Sequence, residues 1–383
     1  MIPHSNSTPD ATFVGRVWRP NIGPCVVVLR GDAVIDITSK DAPTMRDLLE
    51  RDDLLDFVSA AKGDVIGTLS DVTKGSVEAA GEDTLHFLAP SDLQAIKASG
   101  VTFAESMVER VIEEQAAGDA DRAEDIRLKV KASIGDSLSG IVPGSDKAME
   151  VKAVLQAEGL WSQYLEVGIG PDAEVFTKSQ PMGAVGWGAS VGLHPMSSWN
   201  NPEPEIVLAV TSTGKVVGAT LGNDVNLRDV EGRSALLLGK AKDNNASCSI
   251  GPFVRLFDDS FSMEDVHSAE LDLKISGDDG FLLDGHSFMN KISRTPQSIV
   301  DQTIGRHHQY PDGFFLFLGT LFAPVQDRDT KGQGFTHKMG DVVTISEPTL
   351  GALTNTVRLS TQCPPWTFGT SALMRNLAAR GLI

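Results

Sequence analysis

The chain has 383 residues, 41% of them hydrophobic and 22% charged, with a formal net charge of −18 at pH 7. That balance describes a packed globular protein and excludes a disordered one. The acidic excess excludes nucleic acid and anionic membrane surfaces as partners, because both would repel it.

The first residues, Met1-Ile-Pro-His-Ser-Asn6, lack the basic and apolar regions of a signal peptide. Residues 12–37 alternate as strands and turns, with Cys25-Val-Val-Val-Leu29, a Gly31-Asp32 turn and Ala33-Val-Ile-Asp-Ile37. Residues 44–61 read as one helix whose apolar positions are Leu48, Leu49, Leu54, Leu55, Phe57 and Val58. Strands return near Val65-Ile66 and at 85–88, and Pro90-Ser-Asp92 marks a boundary. These features predict a small α+β N-terminal domain at residues 1–95, ahead of a catalytic domain at 96–383.

Residues 103–165 read as a charged helical lid or insert. Phe103, Met107 and Val111 recur every four residues, as do Ile126, Val130 and Ile134, and Ser145 can cap a third helix through Leu155. Beyond Pro171 short β-rich runs separated by glycines continue to about Val357. Few are followed by a helix, so the pattern predicts a mixed sheet folded on itself, a roll or sandwich, rather than a doubly wound parallel sheet. Residues 371–380 form a last helix, stopped by Gly381. The fold class is α+β, mostly β. Cys25, Cys248 and Cys363 are odd in number and widely spaced, so neither a disulfide framework nor a zinc motif is indicated. No apolar run approaches membrane-spanning length, and a cytoplasmic protein is expected.

The chemistry concentrates at Glu203-Pro-Glu205 and Asn223-Asp224. Glu205-Ile-Val-Leu-Ala-Val210 reads as a strand, on which Glu203 and Glu205 point the same way. Residues 215–222 read as a second strand with Asp224 just past its end. If the two pair, Glu203, Glu205 and Asp224 converge as an all-oxygen set. Such a set suits Mg²⁺ or Mn²⁺, whereas zinc favours nitrogen or sulfur. Taken singly, two glutamates on a strand read as a solvated face, and Asn-Asp reads as a turn.

These motifs, with Phe176-Thr-Lys178, Arg228-Asp229, Gly239-Lys240, Asp243, Gly251-Pro252, Gly319-Thr320, Gly340-Asp341 and Gly351-Ala-Leu-Thr-Asn355, stand in an order that resembles the fumarylacetoacetate hydrolase superfamily. The resemblance covers about residues 96–360. It implies a mixed β-roll, a homodimer or homotetramer, and a divalent cation held at Glu203, Glu205 and Asp224. It also implies a 2-keto acid as ligand, with Lys240 and Lys178 beside it and the Gly319-Thr320 loop on its carboxylate.

One departure is informative. Hydrolytic members carry a His-Glu pair on a helix closing over the metal. Here that stretch reads Thr102-Phe-Ala-Glu-Ser-Met-Val-Glu109, with Ser106 where histidine is expected. The resemblance then points to the sugar-acid dehydratase branch, with Glu109 as catalytic base, Ser106 near the substrate and Lys240 donating to the enolate or the leaving hydroxyl. The expected reaction removes water from a 2-keto-3-deoxypentonate, that of the D-xylonate series, to give 2,5-dioxopentanoate. A carbon–carbon hydrolase and a non-catalytic binding protein are the alternatives. His307-His308 reads as a pair pointing to opposite faces of a strand, hence a poor chelator.

Overall fold

The computed structural model describes residues 11–78, 81–117, 119, 126, 141–157, 159, 161–322, 324–329 and 334–383. Strands β1 (Phe13–Arg19), β2 (Gly23–Arg30), β3 (Ala33–Asp36), β4 (Asp64–Thr68) and β5 (His86–Leu88) come first. Strands β6 (Ala95–Ser99), β7 (Val175–Ser179), β8 (Ser190–Leu193) and β9 (Asn200–Asn201) flank the helical region. The central pair is β10 (Pro204–Val210) and β11 (Val216–Asp224), followed by β12 (Asn226–Leu227) and β13 (Cys248–Leu256). Strands β14 (Glu270–Ser276), β15 (Leu282–Phe288), β16 (Phe314–Phe317), β17 (Val342–Glu347) and β18 (Gly351–Leu359) complete the set.

Among the described residues, eleven strands form one sheet in the order β4-β3-β2-β1-β13-β11-β10-β16-β6-β7, with β5 on β1. Five more form a second sheet, β15-β14-β17-β18-β8. Most pairings are antiparallel, while β16 with β6 and β18 with β8 are parallel. The mixed, doubled sheet expected from the glycine-spaced runs is what the chain forms. The leading strands join the large sheet directly, because β1 pairs with β13 through Phe13↔Arg255 and Val14↔Val254.

Strand alternation explains the layers. On β10, Ile206, Leu208 and Val210 enter the core shared with Leu271, Leu273 and Ile275 of the second sheet. Val207 and Ala209 point the other way, into a core shared with the first helices. Strand β14 alternates exposed and buried residues, as a sheet covered on one face must.

Helices α1 (Met45–Leu49) and α2 (Leu54–Ala60) replace the single helix expected over 44–61. Thr44 caps α1 by accepting from the Asp47 N–H. The break falls at residues 50–53, where the Arg51 guanidinium closes on the Asp53 carboxylate, with Nε at 2.8 Å. Helix α3 (Leu69–Glu78) follows β4. Helix α4 (Ala104–Ala116) buries Met107, Val111, Ile112 and Ala116 against Leu165 and Ile169 of α6 (Gln163–Ile169). Helix α5 (Asp146–Ala157) is the helix expected after Ser145. Of the second repeat, Ile126 is helical, and Val130 and Ile134 lie outside the described residues. Helices α7 (Arg228–Glu231) and α8 (Leu238–Lys242) follow β11. No helix among the described residues is long and apolar enough to cross a membrane. The three cysteines are free and buried.

Candidate metal centre

The hairpin of β10 and β11 builds the site. Pro204 faces Asn223 and Glu205 faces Gly222, so the next pair outward brings Asp224 opposite Glu203. The Asp224 N–H donates to the Glu203 carbonyl at 3.0 Å and locks that register. Glu203, Glu205 and Asp224 are all buried and each offers a carboxylate oxygen within 4.8 Å of the others. Three buried like charges this close repel strongly unless a cation sits among them. The donor set is oxygen only, so the residues fit a hard divalent cation.

Two lysines and an arginine surround the triad. Lys242 Nζ donates to Glu203 Oε2 at 2.6 Å and to Asp224 Oδ2 at 3.1 Å. Lys178 Nζ lies 2.7 Å from Asp224 Oδ1 and donates to the carbonyls of Val225 and Lys242. Arg110, from α4, places Nη2 on Glu203 Oε1 and Nη1 3.1 Å from Glu231 Oε2.

The two glutamates of β10 therefore part company. Burial pushes Glu203 up, but Arg110 and Lys242 outweigh it and hold its carboxyl below the usual range. Burial, Asp224 and Glu203 all push Glu205 up, so it holds a proton well above the usual carboxylate range. Burial pulls Lys242 down, yet Asp224 and Glu203 prevail and keep its ammonium charged. A dication must displace the Glu205 proton, so magnesium affinity is expected to rise with pH until that carboxyl ionises unaided. Calorimetric titrations in buffers of different ionisation enthalpy should record proton release on binding. Binding that is pH-independent would contradict this arrangement.

Glu205 is oriented from the far side by the loop after β16. The Gly319 N–H donates to Glu205 Oε2 at 2.7 Å, and Thr320 Oγ1 lies 3.4 Å from Oε1. Gly319 has φ +94°, and a Cβ there would fall 2.3 Å from Thr102 Oγ1. Only glycine can present its N–H this way. Gly319→Ala is expected to cost roughly 1–3 kcal/mol of stability, the range for residues forced into such backbone, read as a lowered Tm.

A pocket opens on Glu203. It is lined by Arg110, Glu174, Phe176, Glu231, Lys242 and Thr320, together with Ser99, Gly100 and Val101. Glu174 precedes β7, and a Cβ at Gly100 would sit 1.9 Å from its Oε2, so the missing side chain makes room for the carboxyl. Burial, then Glu231, raise Glu174 to about 7, with Lys242 and Arg110 opposing.

Several expectations need correction. Lys240 is exposed on α8, and the lysine of that helix that reaches the carboxylates is Lys242. Two positions on a helix differ by about 200°, so the two cannot share a face. Lys178, expected beside a ligand, stands behind Asp224 with its protons directed to protein oxygens. Glu109 is buried in α4, but the α4 residue on the pocket wall is its neighbour Arg110. Ser106 belongs to α4, and its side chain lies outside those described. Thr320 lines the pocket and lies beside Glu205. Asp229 accepts from Ser197 Oγ and the Ser198 N–H, and Arg228 Nε donates to Asn201 Oδ1. His307 and His308 are exposed and lie in the turn closed by Gly305 and His308, not on the strand expected.

Known proteins share this architecture. A solved 2-keto-3-deoxy-D-arabinonate dehydratase, complexed with magnesium and 2,5-dioxopentanoate, superposes with a TM-score of 0.62. The match covers 91% of this chain and 99% of that one at 21% identity. The fumarylacetoacetate hydrolase of Exiguobacterium antarcticum matches over the same shares, with TM-score 0.55 and 15% identity. The chain has the fumarylacetoacetate hydrolase fold. Within that fold, two curated relatives are similar in sequence. The probable 2-keto-3-deoxyxylonate dehydratase of Haloferax volcanii is 33% identical over 194 residues, 51% of this chain and 63% of its own. The 2-dehydro-3-deoxy-D-arabinonate dehydratase of Saccharolobus solfataricus is 30% identical over 185 residues, 48% of this chain and 58% of its own. The matched stretches thus span about three fifths of those relatives. No protein-family model matches the chain.

Proposed function

We propose that the chain is a divalent-cation-dependent dehydratase of 2-keto-3-deoxypentonates, producing 2,5-dioxopentanoate and water. The observation that carries this reading is the buried Glu203–Glu205–Asp224 triad, whose Glu203 opens on a pocket that also holds Glu174, a carboxyl raised to about 7 by burial. No histidine lines that pocket among the described residues, which favours elimination over water-activating hydrolysis. The names of the two sequence relatives support the same substrate class.

A magnesium ion held by Glu203, Glu205 and Asp224 would polarise the 2-keto group and acidify the protons on carbon 3. Glu174, as carboxylate, takes one of those protons on an oxygen. As the resulting acid it returns the proton to the carbon 4 hydroxyl, which leaves as water. The product at that point is a 3,4-unsaturated 2-keto acid with its carbon 5 hydroxyl intact. A proton shift from carbon 5 to carbon 3 gives the 4,5-enol, and transfer of its hydroxyl proton to carbon 4 gives the isomeric aldehyde. Lys242, held charged between Glu203 and Asp224, acts by electrostatics on the developing negative charge rather than by giving up a proton. The Gly319-Thr320 loop orients Glu205, and Glu109 remains a second candidate base. A homodimer or homotetramer and a cytoplasmic location complete the proposal, testable by sedimentation and fractionation.

The substrate series follows from stereochemistry. A 2-keto group and a carbon 3 methylene erase two stereocentres, leaving carbon 4 alone. D-xylonate and D-arabinonate share that centre, so their 2-keto-3-deoxy derivatives are one compound. The deciding assay offers both carbon 4 epimers, and separately an acylpyruvate, to the protein with Mg²⁺. Semialdehyde from the D epimer supports the reading. Pyruvate released from the acylpyruvate, with no semialdehyde, would replace it with the hydrolase.

A further inference from the structure

Arg110 is a buried cation that already occupies the triad. Its Nη2 donates to Glu203 Oε1, while Lys242 takes Oε2 of the same carboxylate. A dication needs one of these oxygens. Lys242 is fixed from a second side by Asp224, itself a member of the triad. Arg110 differs, because its second partner, Glu231 of α7, stands outside the triad with Nη1 3.1 Å away. The guanidinium therefore has a seat outside the triad to fall back on, whereas both ion pairs of Lys242 among the described residues are with triad members.

Resting on the reading of the triad as a divalent-cation site, we propose that Arg110 is an internal competitor of the metal. It holds Glu203 while no cation is bound. When the cation binds, it withdraws to Glu231 and turns its freed nitrogen to the anionic end of a 2-oxo acid. Arg110 sits on α4, which also packs through Met107, Val111, Ile112 and Ala116. The helix thereby senses the cation: losing the Glu203 tie loosens it, and a bound carboxylate restores the tie. A fork-shaped guanidinium reaches Glu203 and Glu231 through separate nitrogens, whereas an ammonium has a single nitrogen to divide between them.

The experiment combines magnesium calorimetry with amide hydrogen exchange on residues 104–116, in wild type, Arg110→Gln and Arg110→Lys. R110Q is expected to bind Mg²⁺ at least about tenfold tighter, since a competing buried charge is gone. R110K keeps the charge but loses the fork, and is expected to fall between the two. In wild type, Mg²⁺ raises exchange across 104–116 and added pyruvate lowers it again. R110Q exchanges fast throughout, with no response to either. R110K matching wild type would reduce the effect to distant charge and overturn the proposal, as would R110Q affinity equal to or weaker than wild type. Wild-type exchange unmoved by Mg²⁺ overturns it without reference to any variant. A wild type that takes up no Mg²⁺ removes the cation reading itself, and this inference with it.

Discussion

Glu205→Gln is expected to abolish magnesium binding and dehydratase activity while leaving the cation-free protein as stable as before, or more so. The change removes one ligand oxygen's charge from the triad, and one unit charge about 4 Å from a dication is worth several kcal/mol even at an effective dielectric of about 20. Affinity should fall at least about a hundredfold, since each 1.4 kcal/mol is tenfold. Stability moves the other way, because Glu205 is buried against Asp224 and Glu203 and already holds its proton in the cation-free state. Gln presents the same shape and needs no proton taken up on folding. Wild type should gain several degrees of Tm with saturating Mg²⁺ by mass action, and the variant none. A variant that still gains the full magnesium shift would remove Glu205 from the ligand set.

Glu174→Gln is expected to separate chemistry from binding. Turnover should fall by roughly 10²–10⁴, the usual contribution of a positioned acid–base group. Magnesium affinity should stay within a few-fold, because Glu174 lies at the pocket wall and not in the triad. The pH profile gives a second reading. A base raised to about 7 must lose its proton to act, so wild-type kcat/KM should rise as pH climbs toward 7. A bound cation adds positive charge and moves that limb lower. The variant should lack it. The sign for stability is opposite: between its ordinary value and 7 the folded state holds a proton that the unfolded state has released, so this group's contribution declines as pH rises through that window. If Glu109→Gln instead reproduces the whole loss, the base lies on α4.

Much of this site was legible in the sequence, for reasons that differ by residue. Period-two alternation and one hairpin sufficed to converge Glu203, Glu205 and Asp224, since β10 and β11 are adjacent in sequence and paired in space. The same rule could have found Glu174. Glu174, Phe176 and Lys178 are spaced two apart, and all three turn toward the centre: two line the pocket and the third meets Asp224. The motif reading stopped at Phe176 and Lys178. Lys240 and Lys242 could not be separated, because choosing between them needs the rotational setting of a five-residue helix. Glu109 and Arg110 pose the same problem on α4, where a step of one residue turns the side chain by about 100°. The break between α1 and α2 leaves no mark on the apolar spacing, and the ion pair that accompanies it joins two charged residues, Arg51 and Asp53.

The pairing of β1 with β13 had no local trace, because it joins residues some 240 positions apart. Its consequence is evolutionary and practical. Strand β13 also pairs with β11, down to Cys248 opposite Asp224, so the opening segment and the ligand strand share one ladder. Severing the chain at residue 95 would bare one side of β13 and uncover Phe253, whose ring meets Phe87 edge-on at 5.3 Å. Bared ladders recruit foreign strands. A chimera that borrows its opening segment from a cousin must therefore re-knit the sheet two strands from Asp224.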